Sequence, residues 1–371
     1  MADLSINVDG LKFDNPFVIG SGPPGSNAGT IKRAFKDGWG GVVCKTIQLE
    51  AEKIKNVAPR YARLSTSDNA KDKSAVFGFE NIELTSDRSF SDWLDDFKEI
   101  KDAYPDKILI CSIMEDHAKG PWQEIVGKCQ DVGVDSFELN LSCPHGLPEM
   151  GRGMAMGQNP EVVEEVCGWV MEVAKVPVWA KMTPNVGNIA EPGAAAFRAG
   201  VHGLAAINTI LSVMGVDLET LRPQPTVEGY TTPGGYSCKA VRPIALRMVM
   251  ELAKAFPGRS ISGIGGIETG YDAAQFLLMG CNTVQVCTGV MLHGYKMVQP
   301  MIEELSTFMD KHGFKTIEEF RGHSLEYFTT HADLSHRQAV AKAKKALEKD
   351  ADWDGDKFVD QTDQLTTATS K

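Results

Sequence analysis

The residues whose types and spacing could do chemistry lie together in residues 137–146, which read Phe-Glu-Leu-Asn-Leu-Ser-Cys-Pro-His-Gly. A short apolar strand brings Asn140, Ser142 and Cys143 to its carboxyl end, and Pro144 then ends the strand and begins a loop. Barrel enzymes hold their reacting groups at strand ends of this kind. A cysteine there can act as an acid or a base, and an asparagine amide can orient a planar polar substrate.

Eight short, nearly continuous apolar segments recur along the chain, with helical patterns between them. Continuous apolar character is expected of parallel strands that are buried on both faces. Eight alternations of this spacing predict an α/β fold, a closed (β/α)8 TIM barrel with helices outside, and an open doubly wound sheet is the alternative. The predicted strands are 17–21, 41–46, 108–113, 136–141, 178–182, 203–208, 260–264 and 283–287. The helices predicted between them include 30–36, 92–103, 122–132, 161–174, 242–256 and 270–279.

Three segments do not belong to this alternation. Asp9-Gly10, between two short apolar runs of residues 4–15, predicts an N-terminal hairpin that closes the bottom of the barrel. Residues 47–90 and 210–240 are long insertions after the second and sixth strands. Because long loops at the carboxyl face of a barrel usually build its site or lid, we expect both insertions to border the active site.

The chain turns helical after about residue 290, where helices are predicted over 300–312, 316–321 and 336–349. We therefore expect residues 1–312 to form the barrel domain and residues 313–360 a helical C-terminal extension. The polar residues 361–371 are predicted to be a disordered tail.

Composition and charge exclude several classes of protein. Hydrophobic residues make up 43% of the 371, which is enough for a sizeable core. A net charge of -11 without any basic run argues against a nucleic-acid surface. The N-terminus lacks the charged and apolar regions of a secretory signal, and no apolar run spans a bilayer, so we expect a cytoplasmic protein. None of the eight cysteines has C-x-x-C spacing, so no zinc ribbon, cysteine-ligated cluster or other metal site is predicted.

Two lysines at strand ends, Lys45 and Lys181, suit a flavin. Reduction places negative charge near the N1/C2 edge of the flavin ring, and a fixed cation there stabilises the reduced form. Lys181 is the candidate for that role, and Lys45 for the other edge of the ring. Gly265-Gly266 and Thr288 follow the last two strands, where barrels commonly present backbone N–H groups to a phosphate. The glycine spacing is not the dinucleotide fingerprint, so a mononucleotide phosphate is predicted.

The sequence resembles the flavin-containing, pyrimidine-reducing barrel of dihydropyrimidine dehydrogenase and, more distantly, class 1 dihydroorotate dehydrogenase. The resemblance covers roughly residues 4–330. The stretch 140–146 and the long loop that ends at Asn81 are specific to the pyrimidine branch. The other matching pieces are 15–17, 38–40, 45–46, 56–60, 81–84, 180–185, 208–209, 242–247, 265–267 and 285–287.

The resemblance implies an FMN-dependent oxidoreductase that reduces the C5=C6 double bond of uracil or thymine, or runs the reverse. Cys143 would protonate C5 while FMN N5 passes hydride to C6, with Ser142 in support, and His145 would either tune Cys143 or order the loop. Substrate would bind Asn81, Asn140, Asn208 and Thr209. FMN would bind Ser21, Gly22, Lys45, Thr46, Asn140, Lys181, Asn208, Gly235, Gly265, Gly266, Cys287 and Thr288.

The chain departs from the family in its electron supply. Dihydropyrimidine dehydrogenases route electrons through FAD and iron–sulfur clusters, but this chain has no cysteine after Cys287 and no Rossmann unit. A partner subunit with FAD and/or iron–sulfur clusters is the first expectation, and another donor or a changed substrate are the alternatives. Homologous barrels commonly dimerise, which leaves a homodimer open.

Two other functions stay open at this point. One is a dihydroorotate dehydrogenase-like or other activated-alkene flavin reductase, and the other is a non-redox phosphate-binding barrel. Residues 350–356 match the first half of a calcium-binding EF-hand loop, but Gln361 stands where a bidentate Glu is required, so an acidic, solvated tail is predicted instead.

Overall fold

Eight parallel strands close into a barrel in the computed structural model, which describes residues 2–69, 71–141 and 154–348. Neighbours along the chain are neighbours around the ring, and the eighth strand pairs with the first. The strands are β1 (Phe17–Ile19), β2 (Gly41–Val43), β3 (Ile108–Ile113), β4 (Ser136–Asn140), β5 (Val178–Lys181), β6 (Gly203–Ala206), β7 (Ser260–Ile264) and β8 (Thr283–Val286). The predicted (β/α)8 barrel and its eight strands are confirmed, and the open sheet is wrong.

Several strands end earlier than the apolar pattern predicts, because the chain leaves the ladder to build the rim. After β2, the amide of Lys45 bonds to the carbonyl of Gly25 (2.8 Å) instead of to a neighbouring strand. Residues of β3 are buried throughout, as a strand between helices and barrel interior requires. The polar residues that follow the strands are thereby left at the carboxyl rim.

Helices alternate with the barrel strands along the chain, and some of them begin or end at residues with clear capping roles. Asn27 forms a capping box with Thr30 at the start of α1 (Ala28–Asp37), and the left-handed Gly38 ends that helix. Thr269 and Asp272 form a second box at α8 (Gly270–Leu278). The helices are α1 (Ala28–Asp37), α2 (Phe90–Ala103), α3 (Lys119–Asp131), α4 (Met154–Gly157), α5 (Pro160–Met171), α6 (Ala190–Arg198), α7 (Arg242–Ala255), α8 (Gly270–Leu278), α9 (Thr288–His293), α10 (Val298–His312) and α11 (His331–Glu348).

An antiparallel hairpin closes the amino-terminal end of the barrel, as predicted. Its strands, Ile6–Val8 and Leu11–Phe13, are joined by Asp9 and Gly10, both with positive φ (52° and 88°). The Asp9 carboxylate accepts hydrogen bonds from Trp179 Nε1 (2.6 Å) and Ser260 Oγ (2.7 Å), at the starts of β5 and β7. One side chain therefore fixes the hairpin to two barrel strands.

The two insertions together build a second sheet beside the barrel rim. Its four antiparallel strands lie in the order Ile210–Ser212, Gly234–Ser237, Val76–Asn81 and Tyr61–Ser65. The sheet places Asn81 opposite Gly235, which joins segments that lie far apart in the sequence. A shorter pair, Val216–Asp217 and Arg222–Pro223, extends from the later insertion.

The chain forms two compact units, Met1–Leu325 and Glu326–Lys371, and the second contains α11. The first unit includes residues 313–325, which the sequence analysis gives to the C-terminal extension; the boundary expected at 312 stays a prediction. The helix predicted over 316–321 is wrong, because Ile317–Glu319 make only a 3₁₀ turn. Ile317 and Phe320 are buried in the barrel's core cluster, and we attribute the end of the helical turn to this packing. The tail 361–371 and the calcium-like segment lie outside the described residues.

Asp9→Ala tests the closure of the barrel bottom. We expect the free energy of unfolding to fall by about 2–3 kcal/mol, because two hydrogen bonds are lost and a buried indole N–H loses its acceptor. Urea denaturation followed by tryptophan fluorescence measures the change. Asp9→Asn, which keeps an oxygen acceptor and tolerates positive φ, should lose about half as much. An alanine variant as stable as the wild type would contradict this role.

Candidate active site

A large cavity opens at the carboxyl rim of the barrel, between the strand ends and the sheet built by the insertions. Its empty space, counted out to the open mouth, is about 1190 Å³.

Hydrogen-bonded amides and hydroxyls line one wall of the cavity. Asn208 Nδ2 donates to Asn140 Oδ1 (3.1 Å), and Asn140 Nδ2 donates to Thr46 Oγ1 (2.9 Å). Thr46 is fixed in turn by the hydroxyls of Ser112 (2.9 Å) and Ser21 (3.2 Å). An amide has two N–H bonds and two lone pairs, so Asn140 keeps one of each unused within the described residues. This wall can bind a flat ring that carries adjacent N–H and C=O groups.

Lys45 is part of a charged cluster at the cavity wall and is not a lone cation. Its Nζ lies 3.1 Å from Glu83 Oε1, and Arg60 Nη1 lies 3.3 Å from the same oxygen. Lys45 and Glu83 are nearly buried, which strengthens their interaction. Burial, reinforced by the Glu83 carboxylate, raises the pKa of the Tyr61 hydroxyl, so that side chain stays neutral. The cluster presents a carboxylate to the cavity as well as a cation.

Lys181, at the end of β5, is paired with a carboxylate that the sequence analysis misses. Its Nζ lies 3.1 Å from Oε1 of Glu138, which is fully buried on β4. Gln285 Nε2 donates to the other carboxylate oxygen (2.6 Å), and Gln285 Oε1 has no donor among the described residues. Strand alternation provides the missed signal, since Glu138 lies two residues before Asn140 and shares its face.

The glycine turn after β7 presents backbone to the cavity. Gly265 and Gly266 have φ values of 137° and 72°, which favour glycine. A Cβ at Gly265 would lie 2.7 Å from Ala245 Cβ, and one at Gly266 would lie 2.9 Å from the Cys238 carbonyl oxygen. Neither amide donates to an acceptor within the described part of the chain. Two amides of this kind can bind an anion.

The cavity brings together most of the residues that the sequence predicts. Gly235 is not in its lining; its carbonyl accepts a hydrogen bond of 3.2 Å from Asn81 Nδ2. Ser142, Cys143 and His145 lie outside the described residues. The predicted residues that line the cavity are Ser21, Gly22, Lys45, Thr46, Asn81, Asn140, Lys181, Asn208, Thr209, Gly265, Gly266, Cys287 and Thr288. Lining residues that the predicted set omits include Glu83, Gln285, Tyr61 and Tyr236.

Neither metal sites nor membrane spans are found in the described ranges. No group of three or more His, Cys, Asp or Glu side chains there could hold a metal ion. Among the helices of residues 2–348, outside the gaps, none has the length and apolar character that crossing a membrane requires. The seven cysteines of those ranges are free thiols, and all except Cys287 are buried.

Several known proteins are similar to this chain. The family model described as dihydroorotate dehydrogenase matches residues 3–309. The chloroplastic dihydropyrimidine dehydrogenase (NADP(+)) of Arabidopsis thaliana is 56% identical, over 98% of this chain and 88% of its own. The NAD-dependent dihydropyrimidine dehydrogenase subunit PreA of Escherichia coli K12 is 41% identical, over 86% and 76% of the two chains.

Two more distant proteins extend the comparison. The catalytic subunit of dihydroorotate dehydrogenase B (NAD(+)) from Pyrococcus abyssi is 35% identical, over 87% of this chain and 99% of its own. The crystal structure of DHODH from Eimeria tenella in complex with ferulenol has a TM-score of 0.72 at 21% identity, over 87% and 88% of the two chains. That structure supports the barrel fold alone.

Cys287 should react slowly with alkylating reagents although it lines the cavity. Desolvation raises the pKa of its thiol to about 11, although the positive charge of nearby Lys181 acts to lower that pKa. At pH 8 about one molecule in a thousand would carry the reactive thiolate, against about a quarter for a thiol of pKa 8.5. Iodoacetamide labelling of Cys287 in the native protein, read site by site by mass spectrometry, should be about two-hundredfold slower than for a free thiol such as glutathione. Labelling as fast as that of glutathione would contradict this environment.

Proposed function

The chain belongs to the dihydroorotate dehydrogenase family, and we propose that within it the chain is an FMN-dependent dihydropyrimidine dehydrogenase. The enzyme is an oxidoreductase that acts on CH–CH bonds, as the dehydrogenases it matches are. The proposed reaction is reduction of the C5=C6 double bond of uracil or thymine, or its reverse. The observation that carries the proposal is the hydrogen-bonded wall of Asn208, Asn140 and Thr46 beside two lysines in one cavity.

Several groups at the cavity wall support the proposal that the cofactor is FMN. The amides of Gly265 and Gly266 have no acceptor among the described residues and suit a phosphate. Lys181 brings a cation to the wall, and Gln285 Oε1 is a buried acceptor that finds no donor in the described ranges. FMN, when bound, supplies the ring that exchanges hydride with the substrate. The residues proposed to hold it are Ser21, Gly22, Lys45, Thr46, Asn140, Lys181, Asn208, Gly235, Gly265, Gly266, Cys287 and Thr288.

The pyrimidine is proposed to bind Asn81, Asn140, Asn208 and Thr209. Each amide side chain offers both a donor and an acceptor, which matches the alternating N–H and C=O groups of uracil. The fixed orientation of Asn140 between Asn208 and Thr46 supports this assignment, because a preoriented amide loses little entropy on binding. These side chains would hold the ring flat against the flavin.

Cys143 is the proposed general acid in reduction and the general base in the reverse reaction. A thiol with a reference pKa of about 8.5 is mostly protonated at neutral pH and can give its proton to C5. Cys143 follows β4 directly in the sequence, three residues after Asn140. Ser142 is proposed to support the substrate or the flavin, and His145 either tunes the thiol or orders its loop.

The charges at the cavity wall favour a neutral substrate over orotate. A carboxylated ring needs a cation that is available to it, whereas Lys45 and Arg60 are both already paired with Glu83, whose carboxylate offsets one of their two positive charges. Dihydroorotate remains the second candidate substrate because the family model and the Pyrococcus relative carry that name. The non-redox barrel is wrong, since the family and the relatives are dehydrogenases.

Electrons are proposed to come from a partner subunit with FAD and/or iron–sulfur clusters. The E. coli relative is named as a subunit, and the Pyrococcus relative as a catalytic subunit. The chain has no closely spaced cysteines to hold a cluster of its own.

Cys143→Ala tests the proposed chemistry. The purified wild type should contain FMN, identified by mass spectrometry after release, and should reduce uracil with an artificial electron donor. The alanine variant should keep FMN and lose at least about a hundredfold in kcat, because proton transfer to C5 has lost its donor. Cys167→Ala, at a buried thiol that does not line the cavity, is the matched control and should keep kcat within about threefold. A protein that is colourless after FMN is added, or a Cys143→Ala variant with full activity, would overturn the proposal.

A further inference from the structure

A fully buried carboxylate lies behind the cavity wall. Glu138 has no exposed surface, whereas its two partners, Lys181 and Gln285, line the cavity. Its Oε1 lies 3.1 Å from Lys181 Nζ, and its Oε2 accepts a hydrogen bond of 2.6 Å from Gln285 Nε2. Among the described residues, Glu138 is therefore connected to the cavity through the side chains of Lys181 on β5 and Gln285 on β8.

Stability alone does not account for this ion pair. Taking a carboxylate and an ammonium out of water costs about as much as their attraction returns, so apolar residues of the same shape would serve stability as well. The ion pair is better explained by the position that it gives to the lysine ammonium. A lysine ammonium sits on a flexible four-carbon stem, and a partner on a barrel strand fixes where that charge lies. Glu138 is itself held in place by Gln285. The Nε2 group of Gln285 donates to Glu138 and also to Ser262 Oγ (3.2 Å).

We propose that Glu138 is a positioning residue that holds Lys181 and Gln285 at the cavity wall and offsets part of the lysine's charge toward the bound flavin. This role rests on the proposed function, since it requires FMN in this cavity. A reduced flavin carries negative charge, which Lys181 stabilises and Glu138 opposes. The pair thus gives the flavin a fixed hydrogen-bond donor with less than a full positive charge.

Glu138→Gln separates the charge of this residue from its shape. The new amide can accept from Lys181 and, once the Gln285 amide turns over, donate to Gln285 Oε1, so the packing is kept while the negative charge is lost. We expect the affinity for reduced over oxidised FMN to rise about tenfold, which for a two-electron couple raises the midpoint potential by about 30 mV. Spectroelectrochemical titration of the FMN-loaded protein measures this shift.

Glu80→Gln is the matched control, because Glu80 is also fully buried but does not line the cavity. Its Oε2 accepts from Ser212 Oγ (2.6 Å) in the sheet built by the insertions. The control should leave the potential unchanged. An unchanged or lowered potential in Glu138→Gln, or an equal rise in Glu80→Gln, would overturn the role of Glu138 while the proposed function stands. A wild type that binds no FMN would overturn both.

A second pair of variants tests the same role if Glu138→Gln does not fold. Lys181→Met removes the cation, and the double variant Lys181→Met with Glu138→Gln removes both charges. If Glu138 acts mainly through Lys181, the shift in relative affinity between these two variants should be well below the tenfold expected for Glu138→Gln alone, because only the direct effect of the carboxylate charge on the flavin is left. A shift between them as large as about tenfold in relative affinity would show that Glu138 acts independently of Lys181 and would contradict the positioning role.

Discussion

Parallel pairing of eight strands into a closed ring is the constraint on which the rest of the structure depends. Because every strand runs the same way, every carboxyl end meets at one rim. Asn140, Thr46 and Asn208 follow three different strands, and only closure brings them within hydrogen-bond distance. The site is therefore a consequence of topology before it is a consequence of any one motif.

Closure also imposes a cost that shapes the site. Polar side chains that point into the barrel leave water, so each must find a partner or lose free energy. Glu138 finds two, and Ser262 bonds both Thr283 (2.8 Å) and Gln285. Among the described residues, several polar groups at the rim keep bonding capacity unused, such as Asn140 and the amides of Gly265 and Gly266. These unused donors and acceptors are the ones that can bind a ligand.

The sequence predicts the parts of this fold that are encoded locally. Apolar runs predict all eight strands, and Asp9-Gly10 predicts the hairpin, because each signal lies within a few residues. Lys45, Lys181 and the glycine turn could be placed at the rim for the same reason. The helix predicted over 316–321 is wrong because burial of Ile317 and Phe320 decided that segment.

Pairings between distant segments could not be predicted in the same way. The sheet shared by the two insertions joins Asn81 to Gly235, and nothing local in either loop specifies that partner. Glu83 beside Lys45 and Glu138 beside Lys181 are missed for a related reason, since neither a charge in a loop, such as Glu83, nor one within an apolar strand, such as Glu138, specifies its counter-ion. These ion pairs determine the charge at the cavity wall. The structure is therefore more informative than the sequence about whether the substrate is neutral or carries a carboxylate.

The most direct test of the central claim is the half-reaction without any electron donor. The FMN-loaded protein is mixed anaerobically with dihydrouracil or with dihydroorotate, and the absorbance of oxidised flavin is followed. The account predicts that dihydrouracil bleaches the flavin and that dihydroorotate does so far more slowly, because Lys45 and Arg60 are already paired with Glu83 and leave its carboxylate without a free cation. Bleaching by dihydroorotate alone, or by neither compound, would contradict it.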